Sequence, residues 1–346
     1  MKRLLLLPAL ASASLFAQAS SDVIIDRVQQ GTPPPAPTAA SIEKPAETGD
    51  LDGGTQRVAE TRTRPFKLTL AYDVQAYYTS NVLLQPKDSP SSNSDAVVVA
   101  NTLLARIEGN SLAVGDTLLT PSGSFVYQRY NHAIGSNDAV RKDLDFDVYS
   151  VPFALRLRTG DNWELGLGVT GTSVYSTESA AGYHLTYQSL ATSLSARKQV
   201  SVGRNQLLSL GGAVSYARTW ADTDDIPGGL VAYRDDRNDK IDTSFDAGYY
   251  YLKDRWVVGP FLRLVYSDYL HYEEADVGAA RSLDRRDLSG SVGVSVSYNL
   301  TPWAIARVFS SYDWRDARQN GSSVAGDDFT YRSTSAGLGL SLNASF

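Results

Sequence analysis

Ser267, Asp268 and His271 bring the residue types of a serine hydrolase together within five positions. On an extended strand, however, Ser267 and His271 stand about 13 Å apart along one face. That is beyond the hydrogen bond a nucleophile and its base require. The two other histidines, His132 and His184, complete no H-E-x-x-H spacing with it or with each other. The chain has no cysteine, which excludes thiolate metal sites, thiol catalysis and disulfide frameworks. A carboxylate-rich stretch, 220–239, holds Asp222, Asp224, Asp225, Asp235, Asp236 and Asp239 against Arg234 and Arg237. Calcium needs about six to eight oxygens, and this spacing fits no EF-hand loop, so the stretch reads as a solvated external loop. Gly166-Leu167-Gly168 and Gly337-Leu338-Gly339 lie inside alternating runs and are small strand residues rather than phosphate loops. The expectation is a chain without catalytic residues, metal or cofactor.

A different set of charges stands out once strand faces are assigned: Lys67, Asp73, Glu164, Asp242, Asp246, Arg263, Arg307 and Asp313. Each is on the polar side of an alternating apolar/polar run. Charges of both signs on the inside of a barrel either set solute preference or pair with one another. Which of these applies depends on the elements that hold them.

Of the 346 residues, 42% are hydrophobic and the mean hydropathy is −0.23. Past the first 20 residues no apolar run reaches the length of a membrane helix. Barrel strands bury only alternate residues in lipid, so a membrane barrel is not excluded. The 20 Tyr, 27 Gly and single Met favour strands and turns over helices. With a net charge of −6 the chain is a poor nucleic-acid binder.

Met1-Lys2-Arg3, an apolar stretch from Leu4 to Phe16, and Ala17-Gln18-Ala19 form a basic segment, a short apolar segment and an A-x-A site. These predict a bacterial secretory signal over 1–19. Residues 20–65 carry six of the 14 prolines and no aromatic residue, and predict a disordered Pro-rich linker. From Phe66 onward, 66–346, one theme repeats. Twelve strands are expected: 66–79, 96–107, 117–130, 144–158, 163–175, 184–199, 206–219, 240–252, 256–272, 287–299, 303–316 and 330–346. The second and sixth have the weakest alternation. In the fourth, Leu144, Phe146 and Val148 are even but Val151, Phe153, Leu155 and Leu157 are odd, which predicts a bulge near Ser150 and Pro152.

Long polar connections (80–95, 131–143, 176–183, 220–239, 273–286, 317–329) alternate with short ones rich in Gly, Asn, Asp and Pro. Short turns at one end and long loops at the other, with an even strand number, are features of a transmembrane barrel. Twelve strands put both termini on the periplasmic side. The fold class expected is all-β: a transmembrane antiparallel up-and-down β-barrel.

The final strand alternates strictly. Leu338, Leu340, Leu342, Ala344 and Phe346 share one face, and Gly337, Gly339, Ser341, Asn343 and Ser345 the other. An alternating strand closed by a terminal Phe346 resembles the C-terminal assembly signal of Gram-negative outer-membrane β-barrels. Leu338, Leu340, Leu342 and Phe346 are the residues of that signal here. Tyr77-Tyr78-Thr79-Ser80-Asn81-Val82 is similar to a Tyr-x-Ser/Asp-Asn-Val element of porin-like barrels, some of them encoded with polysaccharide-export systems. The resemblance implies outer-membrane lipid and lipopolysaccharide, the barrel assembly machinery and a small hydrophilic solute as partners. A narrow polar channel is the function it implies first. An export, anchoring or assembly component is the alternative, and an outer-membrane hydrolase a remote one. Outer-membrane phospholipases are also twelve-stranded, but their Ser and His motifs are absent. The 46 residues of 20–65 leave no room for an autotransporter passenger.

Overall fold

A computed structural model describes residues 66–82, 84, 95–134, 144–160, 162–176, 182–221, 234–276, 279–320 and 330–346. The signal and linker expected over 1–65 lie outside the described residues. The strands in chain order are β1 (Phe66–Thr79), β2 (Ala96–Gly109), β3 (Leu112–Val114), β4 (Thr117–Ile134), β5 (Phe146–Arg158), β6 (Trp163–Ser176), β7 (His184–Gly203), β8 (Gln206–Ala221), β9 (Lys240–Lys253), β10 (Trp256–Tyr269), β11 (Glu273–Asp276), β12 (Ala279–Ser282), β13 (Asp284–Thr301), β14 (Ala304–Asn320) and β15 (Tyr331–Ser345). No helix occurs among the described residues.

Twelve of these strands form one closed antiparallel up-and-down barrel, in which each long strand pairs with its neighbours in the chain. The ring closes where β1 meets β15, in register from Thr69↔Ser345 to Thr79↔Ser335. At the foot of this seam Leu68 and Phe346 exchange both backbone hydrogen bonds (3.2 and 2.9 Å). The terminal residue is therefore part of the ladder. At the other end Asn81 Nδ2 donates to the Arg332 carbonyl (3.2 Å) and the Ser80 amide to Thr334 (2.9 Å). The Ser-Asn-Val segment thus extends the first strand along the last one beyond its regular end.

All twelve expected strands are present, including the second and sixth. The small elements were not foreseen. β3 folds back on β4, and β11 and β12 form a separate hairpin inside the expected loop 273–286. β13 accordingly begins at Asp284, three residues before its expected start.

The expected bulge near Ser150 and Pro152 is corrected. The β5–β6 register runs unbroken from Phe146↔Ser176 to Arg158↔Glu164. The β4–β5 register is the same on either side of that point. Every even residue of β5 faces inward. Leu144, Phe146 and Val148 are apolar and buried inside, whereas Val151, Phe153 and Leu155 are exposed outside. The apolar phase changes because the lumen wall is itself apolar there.

The outer face is otherwise a continuous apolar belt. Leu103, Leu167, Leu194, Val214, Phe245, Val292, Val308 and Leu338 are all exposed. A soluble fold would bury such residues, and only a lipid phase satisfies this many of them together. Phe66, Trp163, Trp256 and Trp303 stand exposed at the short-turn end. Tyr78, Tyr216, Trp220 and Tyr312 stand exposed towards the long-loop end. Aromatic rings at two levels bracket the belt, as membrane interfaces favour.

Candidate functional site in the lumen

Antiparallel register alone decides which residues share the inner face, because side chains alternate with period two. It sets all eight charges singled out in the sequence on that face: Lys67 and Asp73 on β1, Glu164 on β6, Asp242 and Asp246 on β9, Arg263 on β10, Arg307 and Asp313 on β14.

It also places four of them, Glu164, Asp246, Arg263 and Asp313, on a single row. Arg158 pairs with Glu164, Glu164 with Arg197, Arg197 with Gly211 and Gly211 with Asp246. Asp246 pairs with Arg263, Arg263 with Ser291, Ser291 with Asp313 and Asp313 with Ser333. Positive and negative groups alternate along it, with Gly or Ser between. The row starts at the last residue of β5, beside a short turn. It ends at the third residue of β15, beside a long connection. Because barrel strands tilt, a row perpendicular to them climbs as it circles, and this one spans the barrel from rim to rim.

Glycine shapes the row. A Cβ on Gly211 would lie 2.5 Å from Asp246 Oδ1, so only glycine lets Asp246 lean across β8 to Arg197 (3.6 Å). On β15, Gly339 lies between Arg307 of β14 and Gln75 of β1, and Arg307 reaches over it to Asp73 of β1 (3.4 Å). Asp73 also accepts from Gln75 Nε2 (2.6 Å) and from the Ser341 hydroxyl.

Register adds charges that sequence reasoning missed. On the short-turn side Glu108 is shared by Arg106 (2.6 Å) and Arg156 (2.8 Å), and Arg158 lies 3.8 Å from Glu164. On the long-loop side Lys240 pairs with Asp242 (3.2 Å), and Arg285 with Asp287 (2.7 Å). Arg315 approaches Asp287 at 3.9 Å. Arg285 is packed between Tyr269 and Tyr272, 4.3 and 4.8 Å from their ring centres, a cation–π contact on each side. The inner-face census of the described strands is ten basic groups against seven acidic ones. The eight charges picked out earlier comprise three basic and five acidic. The missed signal was the position of β2 and β5 residues relative to their neighbours, which only pairing reveals.

Opposite the charged wall, the long-loop half of the lumen carries an apolar patch. Tyr77, Val98, Ala100, Tyr130, Phe146, Val148, Val174 and Tyr187 pack there with Val82 and Leu144. Val82 and Leu144 belong to connections, yet neither is exposed at all. Tyr272 and Leu283, which flank the β11–β12 hairpin, are buried with Tyr269. Three of the long connections therefore turn inward at their roots and narrow that mouth.

The hydrolase-like residues do not come together. Ser267 faces the lumen and donates to Asp242 (2.5 Å), while His271 lies beyond the end of β10. His132 is buried and sits 3.1 Å from Asp145, and His184 Nδ1 lies 3.1 Å from the Gly182 carbonyl. In the acidic stretch, Asp222, Asp224 and Asp225 lie outside the described residues. Arg234 donates to Asp236 from Nε (2.8 Å) and Nη2 (2.9 Å). These hydrogen bonds hold the Asp236 carboxyl below its ordinary pKa. Asp239 accepts from the Thr219 amide (2.6 Å) and hydroxyl (2.9 Å). No group of three metal-ligating side chains occurs among the described residues.

Leu338, Leu340, Leu342 and Phe346 share the outward side of β15 and its end, with Leu338 and Phe346 the most exposed of the four.

No family model matches the chain, and no curated protein sequence does. Solved structures do match. An outer-membrane channel from Pseudomonas putida F1 is 13% identical, covering 81% of this chain and 96% of its own, with a TM-score of 0.46. The β domain of the Bordetella autotransporter BrkA is 13% identical, covering 79% and 98%, with a TM-score of 0.40. The KdgM porin is 11% identical, covering 79% and 98%, with a TM-score of 0.36. The chain is thus similar to outer-membrane channels, porins and autotransporter barrels.

Proposed function

We propose that the chain is a non-enzymatic outer-membrane channel for small hydrophilic solutes. In this reading residues 1–19 direct export. Both termini and the linker 20–65 lie on the periplasmic side, with the short turns. Leu338, Leu340, Leu342 and Phe346 present the assembly signal, and the apolar belt meets lipid and lipopolysaccharide.

The observation that carries the reading is the charged row from Arg158 to Ser333. It connects the two ends of the barrel on the inner face, while the outer face of the same strands is apolar. Charged and hydroxyl groups at every level supply polar partners for water and for a passing solute. A barrel of twelve strands falls between those whose side chains fill the interior and those that leave a wide channel. The inward-turned roots of three connections narrow the path further, so the conductance is small. The test is single-channel recording from the purified, refolded chain in planar bilayers. Discrete small steps support the reading, and a folded barrel that conducts nothing refutes it.

A further inference from the structure

We propose that the lumen favours anions, and that Arg263 with Ser291 forms the contact an anion uses at mid-depth. This rests on the channel reading above. The whole chain carries −6, yet ten basic groups meet only seven acidic ones on the inner face of the described strands. The lining is thus opposite in sign to the chain. In a narrow passage with low-dielectric walls an excess of one sign is focused rather than screened.

The pairing pattern locates the excess. Asp73, Glu108, Glu164, Asp242, Asp246 and Asp287 each have a basic partner within 4.0 Å. Glu108 and Asp287 are each approached by two arginines. Among the described residues Lys67, the second residue of β1, makes no such pair, and neither does Arg263. Arg263 is the eighth of the 14 residues of β10, half-way along the strand. Its register neighbour Asp246 leans away from it, across Gly211, to Arg197.

A second observation falls at the same place. Ser291, paired directly with Arg263 on β13, has a buried hydroxyl with no hydrogen-bond partner among the described residues. A guanidinium and an unpartnered hydroxyl stand on directly paired residues, about 5 Å apart at Cβ, and each has a hydrogen to donate. A carboxylate or phosphoryl group satisfies both at once. The solute class is a small hydrophilic anion bearing one of these groups.

The experiment is the reversal potential of the full-length refolded channel under a potassium chloride gradient. Wild type is expected to pass chloride over potassium by about threefold or more. Arg263→Gln brings the ratio close to unity, Arg263→Glu inverts it, and Ser291→Ala lowers it less. Lys198→Gln, on the outer face, leaves it unchanged. A wild-type channel that is cation-selective or unselective overturns the proposal while leaving the channel reading standing. If a folded barrel conducts nothing, the channel reading falls. Calorimetric binding of citrate to the same preparation then decides this inference: binding lost in Arg263→Gln supports the contact, and no binding by wild type overturns it.

Discussion

Replacing Asp73 by Asn tests whether the inner-face pairs hold the barrel together. Arg307 is 7% exposed at its side chain and lies 3.4 Å from Asp73. Two unit charges at that separation interact by about 5 kcal/mol at an effective dielectric constant of about 20. Asn keeps one acceptor for Gln75 and Ser341, so part of the network survives, but each of those bonds loses its charge assistance. Removing one member of a buried pair costs about 3–5 kcal/mol, largely because the other charge is stranded. The surviving acceptor places the expected loss at the lower end, about 3 kcal/mol. Urea titration of the barrel in lipid vesicles, followed by the fluorescence of its five tryptophans, measures the change. Asp73→Asn with Arg307→Gln removes both charges and is expected to be more stable than Asp73→Asn alone by about 1–2 kcal/mol. An Asp73→Asn variant within about 0.5 kcal/mol of wild type, with no gain in the double variant, refutes the reasoning.

Other consequences are open to test. Leu194, 65% exposed and near the middle of β7, should cost about 2–4 kcal/mol as Arg. Ser193→Arg, facing inward beside it, should cost much less in the same unfolding assay, and equal costs would contradict the assignment of faces. A Cβ on Gly337 would lie 2.5 Å from the Ala76 carbonyl oxygen and 2.7 Å from Tyr77 Cα. Both are backbone atoms, so Gly337→Val should sharply reduce the heat-modifiable folded fraction on gels, whereas Gly171→Ala, with open space around it, should not. Asp236 has its pKa lowered from 3.8 by the Arg234 hydrogen bonds. A carboxylate whose folded pKa is depressed stabilises above its unfolded pKa and loses that contribution as pH falls through the folded value. Amide exchange around 234–239 should therefore quicken below about pH 3.8, and Arg234→Gln should abolish this pH dependence. If exchange there is flat with pH in wild type, the hydrogen bonds do not order the segment.

Strand positions were legible because lipid imposes strict alternation on one face, and even β2 and β7 formed where the pattern was faint. β5 shows the limit of that logic. Leu144, just before it, and Phe146 and Val148, its first even positions, are assigned to lipid by alternation, and the structure turns them inward against Val98, Tyr130 and Val174. Arg156 follows on the same inner face, so it was overlooked. Arg285 and Asp287 were hidden for a related reason: the strand that carries them begins at Asp284, inside what reads as an acidic loop. The row from Arg158 to Ser333 draws on nine strands, and its alignment depends on long-range register that no local pattern encodes. The missed residues are mainly basic, so the predicted lining had the wrong sign.

The bridge from Asp73 to Arg307 joins residues 234 positions apart in the chain, on either side of β15. In an open, curling sheet β1 has β2 beside it but nothing on its other edge, and Asp73 has no access to Arg307. The two charges meet only after β15 has docked on β1, with Gly339 between them. Their attraction is therefore absent from every form in which β15 has not docked and arrives in full when it does. Ring closure is cooperative on these grounds, and a chain truncated before β15 has no means of gaining that stabilisation.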